Sequence, residues 1–415
     1  MSLAMKQASL PPGQYRRTAA WINLSHLENN LRELKKWIAP GTFFCPMVKA
    51  NAYGHGDVAI SLKLEQLGVK TLGVGLIEEG LLLRRAGCRS QILFFGIFDE
   101  HGVEPLLQAH LTPVLSTWEQ IHCLEKKVKS PTAVHVKFDT GMHRLGFSMQ
   151  DLEKLQTHFE KSLLKVEGVL THLHSAEGLN PKEGSALEQL RRFAKVEKTF
   201  AKIKPVAHSL NSAGLINFAK YPASEWPEGL SPHQGVRPGL AIYGISPVDE
   251  ARGAGGGGEH GEGQESKTSS LILKPVMSLR SEIVRTHHLQ AGDSVSYGAH
   301  WIAKRESMVG VVPMGYADGY HRLLSNRGQV LFRGQMVPVI GNVCMDYIMI
   351  DVTDVAKNET AESLNHEPVT LFGEDEAGNS LSAEKLAEAA QTISWEILTS
   401  VGERVPRVIE NEGGR

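Results

Sequence analysis

Along residues 25–246 the apolar positions switch repeatedly between a helical spacing and short continuous runs. Leu27, Leu31, Leu34 and Ile38 form one stripe, and Ser25 with Glu28 reads as a capping box that opens this first helix. The stretch 57–67 predicts a second helix, stopped by Gly68. A third spans 187–203, with Leu187, Leu190, Phe193, Phe200 and Ile203 on one side. Apolar runs at 42–49, 71–75, 91–96, 112–116, 132–139, 166–173, 206–211 and 235–243 read as buried strands. Strands alternating with helices imply a parallel sheet with helical crossovers. Eight such repeats predict an α/β fold, a (β/α)8 TIM barrel over residues 24–248. An open doubly wound sheet competes less well, because no Gly-x-Gly-x-x-Gly follows any strand.

Residues 249–268 interrupt the alternation with glycine and acidic residues, the composition of a linker or an insertion. From 269 to 410 the texture is short strands: Met277–His287, Met308–Pro313, Gln329–Phe332, Met336–Val343, Tyr347–Asp351 and 369–373. Gly334 offers a hairpin turn, and one helix is expected at about 382–391. This predicts a mostly-β C-terminal domain. The segment 14–23 has no partner in the barrel alternation and is expected to join that domain as an edge strand.

Charge and composition narrow the function classes. With 44 basic and 46 acidic residues, the chain carries no electrostatic footprint for nucleic acid or an anionic membrane. No apolar stretch reaches the ~18 residues of a membrane span. Met1–Arg17 lacks the apolar centre of a signal peptide. Cys45, Cys88, Cys123 and Cys344 are scattered, with no pair at metal-ligand spacing, so no metal site is expected and a reducing cytoplasm fits. Cys45 and Cys344 sit in apolar runs and read as small buried residues.

Polar residues gather where a barrel places its chemistry, at the carboxyl ends of the strands. Lys49 closes the run Phe43–Val48. Lys137, Asp139 and Arg144 follow strand five, and His172 stands near the end of strand six. Asn211 and Ser212 end strand seven, and Arg237 with Gly239 lies on strand eight. Each has an ordinary alternative: a solvated strand-end lysine, a core histidine, an arginine paired with a barrel carboxylate, a serine N-cap. A lysine stripped of water, however, becomes an amine nucleophile or base. A helix start with a hydroxyl and free N–H groups suits a phosphate. A phosphate-anchored cofactor opposite a lysine suggests pyridoxal phosphate.

Longer strings carry a resemblance. Val48-Lys49-Ala50-Asn51-Ala52-Tyr53-Gly54-His55-Gly56, Asp139-Thr140-Gly141-Met142-His143-Arg144-Leu145-Gly146 and His208-Ser209-Leu210-Asn211-Ser212-Ala213 resemble alanine racemases. So do Val236-Arg237-Pro238-Gly239-Leu240-Ala241-Ile242-Tyr243-Gly244, Val295-Ser296-Tyr297-Gly298, Gly315-Tyr316-Ala317-Asp318-Gly319 and Cys344-Met345-Asp346. The likeness runs from about residue 18 to about 408, in the family's order.

The resemblance implies a cytoplasmic homodimeric isomerase that interconverts L- and D-alanine on a pyridoxal phosphate external aldimine and supplies D-alanine for peptidoglycan. Lys49 would anchor the cofactor and act as one acid/base. Tyr297 of the partner subunit would act on the opposite face. His172 and Arg237 would tune the site, with Arg237 on the pyridine nitrogen. Tyr53, Asn211, Ser212, Gly239 and Leu240 would hold the cofactor, mostly at its phosphate. Arg144 and the Met345 N–H would hold the substrate carboxylate, supported by Tyr316 and Asp346. Lys137 matches a lysine that can be carbamylated. Trp395 stands where relatives place a phosphate-binding tyrosine, and His143 where they usually carry glycine. Competing functions are a related decarboxylase, a racemase of broader specificity, and a non-catalytic cofactor carrier.

Overall fold

The computed structural model describes residues 15–230, 234–247 and 271–410, so the glycine-rich stretch 249–268 lies outside the described residues. The chain forms two compact units, one of residues up to His26 together with Pro275 onward, the other Leu27–Lys274. Strand β1 (Ala19–Ile22) belongs to the first unit.

The Leu27–Lys274 unit curls a parallel sheet in sequence order: β2 (Thr71–Val74), β3 (Gln91–Phe94), β4 (Leu111–Leu115), β5 (Thr132–Lys137), β6 (Leu164–Leu170), β7 (Val206–Leu210) and β8 (Gly235–Val236). The run expected as the first strand closes the barrel without forming a regular ladder. Phe44 bridges Val236 of β8, and Met47 bridges Gly73 of β2. Pro46 has no N–H to give, which breaks the ladder between these two bridges. Strand eight is likewise shorter than expected, because Pro238 ends it and the chain winds into a 3-10 turn at Leu240–Tyr243.

Strands β2 and β4 are buried along their whole length, on both faces, as a helix-covered parallel sheet requires. Cys45, Leu93, Val114 and Leu170 pack together inside it, with Phe43 and Phe95 against them. Polar side chains also enter this interior, His135 among them. The register between β5 and β6 shifts at Val134/His135, and a Cβ on Gly168 would lie 2.1 Å from His135 Nδ1. The bulge and the glycine together make room for an imidazole inside the barrel.

The helices follow their apolar stripes, with shifted ends. Ser185–Phe200 buries Leu187, Leu190, Phe193, Val196 and Phe200, and Asp57–Gln66 stops before Gly68 at φ 81. The first helix spans Leu24–Lys35, so Ile38 falls beyond it. It starts before the expected Ser25, and Asn23 Oδ1 accepts the His26 N–H at 2.9 Å.

The other unit is a mostly antiparallel sheet. Its strands are β9 (Met277–Glu282), β10 (Arg285–Leu289), β13 (Ser307–Val312), β14 (Gln329–Phe332), β15 (Gln335–Ile340), β16 (Ile348–Asp351), β17 (Pro368–Glu374), β18 (Ser380–Leu381) and β19 (Arg407–Ile409). They run in the order β10-β13-β16-β15-β14-β17-β9-β1-β19, with β18 on β17. The run expected as one strand from Met277 is two, β9 beside β1 and β17, and β10 beside β13. Arg333 and Gly334, at φ 49 and 73, make the β14–β15 turn. Strand β1 is not an edge: it pairs antiparallel with β9 and parallel with β19. A separate short ladder of β11 (Ser294–Val295) and β12 (Trp301–Ile302) brackets Tyr297. The late helix covers Ala383–Ala389, and an unforeseen one follows at Ser394–Ser400. Among the described residues no helix is long and apolar enough to cross a membrane.

Candidate functional site

Lys49 opens a turn of the wrong hand. Ala50, Asn51 and Ala52 have φ of 52, 54 and 51 with ψ of 54, 46 and 52, and Tyr53 continues at φ 54. Left-handed helix costs L-residues about 1–2 kcal/mol each, so the surroundings must impose it. Glu79 does much of this. One of its oxygens accepts the Ala50 N–H at 2.6 Å, and the other accepts those of Gly75 and Leu76 at 2.7 and 3.0 Å. His55 Nδ1 lies 3.0 and 2.9 Å from the Ala52 and Tyr53 carbonyls, so it carries the proton. The rings of Tyr53 and His55 stack on Tyr243 at 5.0 and 4.5 Å, and the Tyr243 hydroxyl donates to the Met47 carbonyl. Lys49 itself lies along Gly75, where a Cβ would sit 3.6 Å from its Cβ and Cδ.

A cluster of cations surrounds the Lys49 amine. The crowding protein, then Arg144, pull Lys49 below the ordinary lysine value, with Glu79 opposing. Burial, then Arg144 and Arg237, bring Lys137 down to about 8, against Asp139. Burial and then Arg237 bring His172 down to about 3, so it is neutral at physiological pH. His143 is exposed at φ 54, with its N–H on Asp139 Oδ1 at 3.1 Å.

Arg237 is buried, and burial lowers it to about 10, still charged at neutrality. Its partners are carbonyls and imidazoles, where an ion pair with a carboxylate was one expectation. It donates to the Thr171 carbonyl at 2.7 Å, and to the His208 carbonyl and Nδ1 at 2.6 and 2.9 Å. His172 Nδ1 is 3.5 Å away. Because a guanidinium only donates, His208 Nδ1 is unprotonated, and its Nε2 carries the proton toward His135 Nδ1 at 2.8 Å. Burial keeps both imidazoles neutral.

Asn211 and Ser212 build a polar cradle beside this cluster. Asn211 caps the helix Ser212–Ala219, its Oδ1 accepting the Gly214 N–H at 2.8 Å. Ser212 Oγ accepts the N–H groups of Gly239 and Ala241 at 3.0 and 3.2 Å, leaving its own proton to donate. Gly239 must be glycine: a Cβ there would lie 2.4 Å from the Tyr53 hydroxyl oxygen. Burial pushes that hydroxyl up to about 12, so Tyr53 is a neutral donor. The expected Leu240 amide adjoins this cradle, but Gly239 and Ala241 face Ser212. Four cations (Lys49, Lys137, Arg144, Arg237) are opposed here by Asp139 and Glu79. Such a donor set fits an anionic ligand, and with the Lys49 amine it fits pyridoxal phosphate.

The remaining candidates lie in the β unit. Tyr297 is 74% exposed in a turn preceded by Ser296 at φ 69 and ψ −179, a region that costs a non-glycine residue about 1–3 kcal/mol. Met345, Tyr316 and Tyr347 are also exposed large side chains. The loops of Tyr316 and Met345 are joined, with N–H groups of Tyr316 and Ala317 on the carbonyls of Cys344 and Met345 at 3.0 and 3.1 Å. Gly315 permits this approach, since a Cβ would lie 2.2 Å from the Met345 carbonyl oxygen. Buried Asp318 pins the loop through Arg16 and the Gly315 N–H, and Asp346 accepts from Arg404 at 2.7 Å. Cys344 is only half-buried, 3.4 Å from Ser296 Oγ, because it belongs to this loop and not to the core. Trp395 is half-buried on the helix Ser394–Ser400.

The model of the alanine racemase N-terminal domain matches residues 22–247, and that of its C-terminal domain matches residues 276–409. The alanine racemase of Sorangium cellulosum strain So ce56 is 39% identical over 407 residues, spanning 94% of this chain and 98% of that protein. The chain belongs to the alanine racemase family. As such it is an isomerase. Solved alanine racemase structures share the fold. That from Bacillus anthracis with bound L-Ala-P has a TM-score of 0.80 at 28% identity, covering 98% of this chain and 97% of the other. That from Bartonella henselae with covalently bound pyridoxal phosphate has a TM-score of 0.77 at 29% identity, covering 96% and 100%.

This family member also contains site residues that sequence reasoning passed over. Glu79, His135, His208 and Tyr243 brace Lys49, Tyr53 and Arg237. His208 stood within a quoted string without a role. Only the polar pair His135 and Lys137, two apart on one strand face, could have signalled the interior imidazole.

Proposed function

We propose that this chain is a cytoplasmic, homodimeric, pyridoxal phosphate-dependent racemase that interconverts L- and D-alanine with two bases and supplies D-alanine for peptidoglycan. The observation that carries the reading is the Lys49 amine, lowered in pKa, within a cationic cluster beside the Ser212–Gly239 cradle. Bound pyridoxal phosphate supplies an electron sink that acidifies the Cα–H of an attached amino acid. Tyr53, Ser212 and the N–H groups around Gly239 hold the phosphate, with Asn211 fixing the helix start that carries Ser212. Arg237, which has no proton to give at neutral pH, donates a hydrogen bond to the ring nitrogen without protonating it. A hydrogen bond without proton transfer would restrain charge withdrawal into the ring and so disfavour transamination.

Lys49 and Tyr297 of the partner subunit take and return the α-proton from opposite faces, which inversion requires. Arg144 and the backbone N–H of the partner subunit's Met345 hold the carboxylate, with Tyr316 and Asp346 shaping that loop. His172 stays neutral and can accept a hydrogen bond. Trp395 replaces a phenol with an indole that donates only, so any hydrogen bond it makes to the phosphate is as donor. The proposed domain limits are 24–248 for the cofactor barrel and 269–410, with 14–23, for the β-domain.

Incubating each alanine enantiomer in heavy water tests this. The proposal expects deuterium at Cα together with loss of optical rotation. Exchange without inversion would leave one base and remove Tyr297 from the reaction.

A further inference from the structure

The turn that carries Tyr297 holds three positive φ values, 69 at Ser296, 77 at Gly298 and 50 at Ala299. The ladder around it is two pairs long, Ser294 with Ile302 and Val295 with Trp301, too short to impose such a conformation. Asn342, which follows β15, bonds the turn from several directions. Its Nδ2 donates to the Tyr297 carbonyl at 2.7 Å and lies 3.2 Å from His300 Nδ1. Its carbonyl accepts the Ser296 hydroxyl at 2.7 Å. His300 folds over Gly298, where a Cβ would lie 2.9 Å from the imidazole Nε2. Asn342 is buried, and its neighbours are fixed in turn: the Gly341 N–H donates to Asn326 at 2.7 Å and the Val343 N–H to Ser325 at 3.0 Å. Gly341, at φ 69, leaves no room for a Cβ, which would meet Ser296 Cβ at 2.8 Å.

We infer that Asn342 is the positioning residue of the Tyr297 turn, locking the backbone under an exposed phenol so that the phenol is presented in one direction. The inference rests on the proposed role of Tyr297 in racemisation. An amide suits the task because its two N–H groups reach a carbonyl and an imidazole at once. A carboxylate of the same shape would set lone pairs against the Tyr297 carbonyl. A base displaced by about 1 Å loses on the order of 100-fold in rate, so holding the turn matters directly to turnover.

The test compares Asn342→Asp, Asn342→Ala and Ser296→Gly in the full cofactor-loaded chain. Both Asn342 variants are expected to lower kcat for inversion roughly 10- to 100-fold with KM little changed. The visible absorbance of the Lys49-bound cofactor is expected to persist. Deuterium from heavy water is expected to enter the enantiomer that gives its proton to Lys49 faster than that enantiomer inverts. Amide exchange at residues 297–300 is expected to quicken, with or without cofactor. Ser296→Gly, which frees the backbone and removes one bond to Asn342, is expected to keep the melting temperature and to slow inversion less. Inversion by Asn342→Asp at the parent rate, or unchanged amide exchange, overturns the inference. So does an Asn342→Asp variant that loses cofactor absorbance in step with inversion. Failure of the parent chain to invert alanine would instead sink the functional reading, and the amide exchange would still decide the role of Asn342.

Discussion

Lys49 and Tyr297 both stand at turns where non-glycine residues hold positive φ, Ala50 through Tyr53 in the barrel and Ser296 with Ala299 in the β unit. Around Lys49 the barrel supplies everything itself. Glu79, His55 and Tyr243 brace the turn, and Arg144, Arg237 and Lys137 set the electrostatics. Around Tyr297 the β unit supplies only the bracing, through Asn342, and leaves the phenol 74% open. A phenol serves as a base only where its surroundings favour the anion that it becomes. Under the proposed mechanism, the contrast teaches that one base is tuned within its own unit, whereas the other is held ready for a surface that covers it. In the proposed dimer that surface is the partner's barrel.

Removing the tuned base should break the comparison most completely. Lys49→Ala is expected to abolish racemisation, by about 10⁴-fold or more, and to lose the visible absorbance of the bound cofactor. Spectra and polarimetry on one sample check both. Tyr297→Phe is expected to cost roughly 10²- to 10⁴-fold in kcat while leaving that absorbance in place, because the cofactor belongs to the other base. A Tyr297→Phe variant that lost the cofactor would show that the two turns are not separable.

Stability sharpens the same contrast. Gly168→Ala would drive a Cβ into His135 and disturb the line from His135 through His208 to Arg237. A loss of about 1–3 kcal/mol in unfolding free energy is expected, read from denaturant melts. The smallest effect concerns Lys137. Its lowered value, about 8, means that the neutral amine grows as pH rises through 8 and is scarce below 7. Carbamylation needs the neutral amine, so labelling by ¹³C-bicarbonate, read by NMR, should increase from pH 7 to 9. A signal that fell with rising pH would remove Lys137 as the site.

Much of this was legible because patterns of period and turn chemistry are local. The barrel helices and most strands announced themselves by spacing, and the lysine at the end of 42–49 marked the candidate site. What failed depended on distant partners. Pro46 weakened the first strand without abolishing its role, since β2 and β8 close around it. Strand β1 read as an edge because nothing near it in sequence reveals that β19, almost 400 residues later, pairs on its free side. The left-handed turn after Lys49 carries two alanines, an asparagine and a tyrosine, of which the asparagine alone tolerates that region readily. Glu79 and the Tyr243 ring, both brought by the fold, brace it together with the nearby His55.

Mixing two inactive variants tests the central claim directly. Lys49→Ala and Tyr297→Phe chains, combined under conditions where subunits exchange, should regain racemase activity, because each hybrid dimer contains one site with both groups intact. No recovery, despite exchange shown by native mass spectrometry, would place both groups in one chain and contradict the account.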